Sequence, residues 1–121
     1  MRPSEIIAAA AHKAGINPQV AMKFARAKIE QEGYKLVRFD ESIMLIKHLA
    51  PDVAAAAFLS GDNHIKMIHD MKHFKQMLVN QGIKHLYLFN QNKFVLNALN
   101  LLGIHVTKSN TPAYPLMAEV A

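Results

Sequence analysis

Asn92-Lys-Phe-Val-Leu-Asn-Ala-Leu-Asn-Leu-Leu-Gly-Ile104 decides the fold, together with the apolar run Lys84-His-Leu-Tyr-Leu-Phe89 just before it. The pattern is that of a buried strand, a polar turn, an amphipathic helix closed by glycine, and a further strand. Asn90 or Asn92 suits the start of the helix, where a short side-chain acceptor satisfies amides that lack an intrahelical partner. Phe94, Val95, Ala98, Leu99 and Leu102 recur at helical spacing and form an apolar stripe. Gly103 falls just past the last turn, where a left-handed backbone costs least without a Cβ.

Working outward, helices and strands alternate along the chain. Ser4 suits the cap of a first helix running to about Ala14, and Gly15 ends it. Asn17-Pro18 opens a second helix, with Asn as N-cap and Pro in the first helical position, where its missing N–H costs nothing. Val20, Phe24, Ala27 and Ile29 or Leu36 are expected to supply its buried side, and Gly33 stops it. Strands over 34–39, 42–49 and 53–60 follow. The turns Asp40-Glu41 and Ala50-Pro51-Asp52 are short enough for antiparallel hairpins. Gly61-Asp62-Asn63 starts a long helix over 64–81, stopped by Gly82; then come a strand over 84–89 and the 92–102 helix. A strand over 104–108, a loop through Pro112 and Pro115, and a last strand over 116–120 complete the order.

The resulting α-α-β-β-β-α-β-α-β-β order predicts an α+β fold with a mixed, mostly antiparallel sheet flanked by helices. One domain over 1–121 is expected, divided into a helical hairpin (1–33) and a sheet with two flanking helices (34–121). The first four strands should be consecutive neighbours. Those beginning at Val53 and Lys84 should run parallel, because the helix between them makes a crossover connection.

Composition narrows the classes. A chain of 121 residues with 51% hydrophobic and 19% charged residues can bury one core and not two. The longest uncharged apolar run, Val53 to Ser60, is too short for a membrane span, so no membrane partner is expected. Met1-Arg-Pro-Ser-Glu5 has no apolar h-region, which argues against secretion by a signal peptide and for a cytoplasmic or virion location. Cysteine is absent, which excludes disulfide and thiolate chemistry.

The net charge of +5 favours polyanions and makes nucleic acid a possible partner, although the basic residues are spread without a block of five. The turn Gly15-Ile16-Asn17 between two short helices also suits a helix-turn-helix. That arrangement would present Gln19, Lys23, Arg26 and Lys28 to DNA. A helical hairpin packed on a sheet gives the same pattern.

The strand, Asn-capped helix and Gly-apolar ending resemble the closing motif of the GNAT acyltransferase superfamily, down to the spacing from asparagine to glycine. The family's element order differs only by one additional strand at the start. The layout is also similar to the small GNAT-like internal virion proteins of short-tailed phages. The resemblance implies an Arg/Gln-x-x-Gly-x-Gly/Ala loop that cradles the pyrophosphate of acetyl-CoA before the long helix. This chain has Ser60-Gly61-Asp62-Asn63-His64-Ile65-Lys66 there, with one glycine and with an aspartate that would repel phosphate. Should acetyl-CoA bind, Gly61, Asn63, His64, Lys66 and Asn92 are the residues placed to hold it.

The family also carries a tyrosine seven positions after the motif asparagine, which protonates the departing thiolate. Leu99 stands in its place, and Tyr87 reads as sheet packing. Glu41, Asp52 and His48 are available as general bases, but none is singled out, so catalytic residues remain unassigned. His69 and His73 lie one helical turn apart beside His64, a spacing that helical zinc sites use. No third ligand is identified, and a solvated face without metal is expected.

The leading expectation is therefore a non-enzymatic structural or interaction protein on a GNAT-like scaffold, a phage virion component. It would have no cofactor and no acetyl transfer above background. An active N-acetyltransferase using acetyl-CoA and a small basic DNA-binding module are the alternatives. Protein partners or a homo-oligomer are expected, with contacts in 1–36 or 112–121. Without the family's first strand, the strand beginning at Tyr34 becomes an edge open to another chain, and the tail from Pro112 to Ala121 is apolar.

Overall fold

The computed structural model describes residues 2–60, 64–88, 93–109, 114 and 116–120, and of residues 64 and 93–95 the backbone alone. The chain divides into two compact units, one of residues 1–46 and 58–70, the other of residues 47–57 and 71–121.

In the first unit, helix α1 (Pro3–Ala14) starts two residues earlier than a Ser4 cap implies, with Arg2 in the cap position. Pro3, not Ser4, opens it, because the ring fixes the first helical φ and its missing donor was an orphan in any case. Glu5 reaches back to cap the start, accepting from the Arg2 amide at 3.3 Å and the Arg2 Nε at 3.0 Å. The Arg2 side chain first, then its amide, hold the Glu5 carboxyl below the usual carboxylate range. Gly15 closes the helix at φ 69°, a left-handed position that disfavours side chains.

Helix α2 (Pro18–Glu30) begins as the sequence indicates: the Asn17 side chain accepts from the Gln19 amide at 2.8 Å. Replacing Asn17 by alanine is expected to lower stability by about 1 kcal/mol. Thermal unfolding followed by circular dichroism should register this as a drop of roughly 4 °C.

The buried side of α2 differs in part from the expected one, although Ala27 and Ile29 are half-buried as expected. Val20 is 58% and Phe24 47% exposed, and Leu36 is exposed as well. Ala25 is the buried residue, with Ala21, Lys28 and Ile29 half-buried on the same helical line. Small residues at 21 and 25 allow α2 to lie close against the alanine-rich α1, with its buried Ile6, Ile7, Ala10 and Ala11. Valine and phenylalanine on that line would hold the helices apart.

The strands form one sheet in the order β1-β2-β3-β4-β6-β5, where β1 is Lys35–Arg38, β2 Ser42–Ala50, β3 Val53–Ser60, β4 His85–Leu88, β5 Val106–Lys108 and β6 Leu116–Glu119. The first four are consecutive neighbours, as expected. β1 runs antiparallel to β2, with Arg38 opposite Ile43, and it ends the sheet on its side. β3 and β4 are parallel, Val53 opposite His85 through Ala56 opposite Leu88, as the crossover requires.

The order of the last two strands was not legible in the sequence: β6 inserts between β4 and β5, antiparallel to both. β3 is buried along Ala54 to Phe58, the continuous apolar run of a strand covered on both faces.

Helix α3 (His64–Asn80) buries Met67, Met71, Phe74 and Leu78 at helical spacing and leaves Ile68 and Met77 half-buried.

In the second unit, helix α4 (Lys93–Leu101) buries Ala98 and Leu99. It ends at Gly103, φ 80°, with the Ile104 amide returning to the Leu99 carbonyl at 2.9 Å. Lys75 adds a charge-assisted bond to the Leu102 carbonyl at 2.7 Å, placing a cation at the negative end of the helix. The caps assigned to Asn90 or Asn92 and the Phe94 and Val95 side chains lie outside the described residues. No described helix is long and apolar enough to cross a membrane.

Candidate functional site

Within the first unit, the end of β3, the start of β2, the turn between β1 and β2, and the opening turns of α3 come together. The Phe39 amide donates to the Ser42 carbonyl at 2.8 Å and closes the β1–β2 hairpin, whose tip is Asp40-Glu41. Both tip amides are taken by one carboxylate. Asp70, 1% exposed, accepts from Asp40 N at 3.2 Å and from Glu41 N at 3.0 Å. A buried carboxylate needs such donors, since its desolvation is otherwise uncompensated.

One helical turn earlier, Lys66 Nζ lies 3.3 Å from Glu41 Oε1 and 3.9 Å from Asp40 Oδ2. The hairpin tip is thus held from α3 by a buried carboxylate through its backbone and by an exposed lysine through its side chains. The first contact carries most of the stabilisation, because exposed ion pairs contribute ~0–1 kcal/mol.

Beneath the tip, Ser42 and Ser60 are both buried, and their hydroxyls bond to each other at 3.2 Å. Phe58 packs against Phe39 with ring centroids 6.0 Å apart. Each serine hydroxyl has one proton and two lone pairs, so the pair retains capacity for a further partner.

Of the three carboxylate or imidazole candidates for a general base, the structure brings only Glu41 to this place. Asp52 precedes β3 at the strand's other end, where its carbonyl accepts from the amides of Lys84 at 2.8 Å and His85 at 3.1 Å. His48 is exposed in the later half of β2.

Among the cofactor-binding candidates, Lys66 is described and sits in the site. Gly61, Asn63 and Asn92 lie outside the described residues, as does the His64 side chain at the start of α3. Sequence reasoning did not single out Asp70. The available signal was its position on the buried line: it lies three residues after Met67 and four before Phe74.

In the second unit, Leu99 is fully buried at the position where the resemblance places a proton donor. Tyr87 is half-buried and packs against Tyr114 with ring centroids 5.6 Å apart, consistent with sheet-face packing. His69 and His73 are exposed on α3, and among the described residues no group of His, Asp and Glu forms a metal centre.

An acyl-CoA pyrophosphate at the start of α3 would meet Lys66, which attracts it, and Asp40 and Glu41, which partly offset that attraction. Lys66 fits an anion, but its two carboxylate partners weaken the fit.

No protein-family model matches the sequence, and no curated protein matches it at the sequence level. Solved structures do match. Tetrahymena GCN5 aligns over 97% of this chain and 85% of its own, with a TM-score of 0.63 at 12% identity. The ribosomal-protein-S18-alanine N-acetyltransferase of Escherichia coli aligns over 98% of this chain and 86% of its own, with a TM-score of 0.51 at 14% identity. From end to end, then, the chain has the α+β fold of the GNAT acetyltransferases.

Proposed function

We propose that this chain is an N-acyltransferase that moves an acetyl group from acetyl-CoA to an amine. The observation that carries the reading is its likeness, over nearly its whole length, to structures of acetyltransferases, with α3 as the connection between the parallel strands β3 and β4. When bound, acetyl-CoA supplies a thioester carbonyl open to attack by an amine nitrogen. The amides at the start of α3, with Lys66, hold its pyrophosphate, and Gly61, Asn63, His64 and Asn92 are the further residues the resemblance assigns to it. Leu99 gives no proton to the departing thiolate, so turnover is slow.

A second reading keeps the scaffold without the chemistry: a structural or interaction protein, such as a phage virion component. Two observations favour it, the buried leucine at position 99 and the sharing of Lys66 by two carboxylates.

Titration with acetyl-CoA separates the two. At a hundredfold excess over the dissociation constant, binding should raise the unfolding free energy by about 2–3 kcal/mol. Release of free CoA with a primary amine should exceed background, and Lys66→Ala should weaken acetyl-CoA binding by roughly tenfold. No thermal shift and no CoA release would leave the non-enzymatic reading standing.

A further inference from the structure

The hairpin tip and Lys66 form a contact with more anion than cation. Lys66 Nζ lies 3.3 Å from Glu41 Oε1 and 3.9 Å from Asp40 Oδ2, so one ammonium faces two carboxylates. Most of what keeps those carboxylates there is not the lysine. Asp70 accepts from Asp40 N at 3.2 Å and from Glu41 N at 3.0 Å, and the Phe39 amide closes the turn on the Ser42 carbonyl at 2.8 Å. Asp70 is buried on α3 one helical turn after Lys66. The same helix therefore presents the cation and anchors the anions beside it.

We propose that Asp40 and Glu41 are a built-in competitor for acetyl-CoA: they occupy the lysine that its pyrophosphate needs, and the free protein inhibits itself. The inference rests on the acyl-CoA reading of this end of α3. Binding exchanges carboxylate oxygens for phosphate oxygens at Lys66 Nζ. Rotation of the lysine side chain is enough for the exchange, because the tip is anchored through its amides and does not leave with the lysine. The two carboxylates stay in reach and take the ammonium back when the ligand departs.

The test measures CoA affinity calorimetrically on the full chain at physiological ionic strength, where distant exposed charges are screened. Asp40→Asn/Glu41→Gln keeps the size of both side chains and removes the competing charge. It should tighten CoA binding about three- to fivefold, the scale of an exposed ion pair. In the Lys66→Ala background the same pair of changes should gain less than about twofold, because no ammonium remains to be released. Carboxylates acting by general repulsion would give an equal or larger gain without the lysine, and that result would overturn the proposal. Unchanged affinity in the tip variant would overturn it too.

Amide hydrogen exchange checks the anchoring. Protection at residues 40 and 41 should match the parent in the tip variant, since Asp70 still accepts from both amides. Lost protection would show that the ion pair positions the tip, against the proposal. CoA affinity needs no turnover, which separates this proposal from the chemistry. Equal affinities alongside acetyl transfer would sink the competitor and leave the acyltransferase. A gain that depends on Lys66, without acetyl transfer, would support the competitor and sink the acyltransferase. Absence of CoA binding in every variant would sink both.

Discussion

Replacing Phe58 by alanine should lower the unfolding free energy by about 3–5 kcal/mol, the range for truncating a buried phenylalanine. Phe58 is 1% exposed, near the end of β3, and its ring lies against Phe39, which leads into the hairpin tip. The loss combines the transfer of a large apolar group with the cavity it leaves behind. Domains are stable by only ~5–15 kcal/mol, so a substantial part of the fold's margin is at stake. Urea unfolding should show the shift as a lower midpoint at nearly unchanged slope. Phe58→Leu keeps most of the volume and should cost less than about 1.5 kcal/mol. Equal losses for the two variants would mean that the aromatic contact, and not the filled volume, stabilises this end of the strand.

Asp70→Ala should cost about 2–4 kcal/mol, since it removes a buried acceptor and leaves two backbone amides without their partner. Asp70→Asn should recover only part of this: each carboxylate oxygen takes one amide, and an asparagine offers one oxygen and one NH2. Lys66→Ala, which removes only the exposed pairing to the same turn, should change stability by less than about 1 kcal/mol. Amide hydrogen exchange distinguishes the roles. Protection at residues 40 and 41 should fall sharply in Asp70→Ala and little in Lys66→Ala. Protection at the tip that survives in Asp70→Ala would show that the hairpin holds itself and that α3 merely rests against it.

The element order was set locally, which is why the sequence carried it. Asn17-Pro18 and Gly15 bracket a helix start and a helix end, Gly103 closes α4, and Met67, Met71, Phe74 and Leu78 recur with the helical period. The parallel pairing of β3 with β4 followed from a rule of connection, that a strand reached through a helix returns in the same direction. Three features were decided by tertiary structure alone.

The insertion of β6 between β4 and β5 depends on pairings far apart in sequence, and nothing local in Leu116–Glu119 encodes them. The face that α2 buries depends on how closely its neighbour approaches. Periodicity marks Val20 and Phe24 as apolar, but the fit against α1 favours the alanines at 21 and 25, and the larger side chains remain exposed. Asp70 is the third case. A charged residue on a helix reads as solvated until a turn some thirty residues earlier in the chain brings two amides to it. Sequence determined which segments are helices and strands because capping, period and glycine act within a few residues. Which faces meet, and which charge is buried, was settled by packing and by the need to pair every buried polar group.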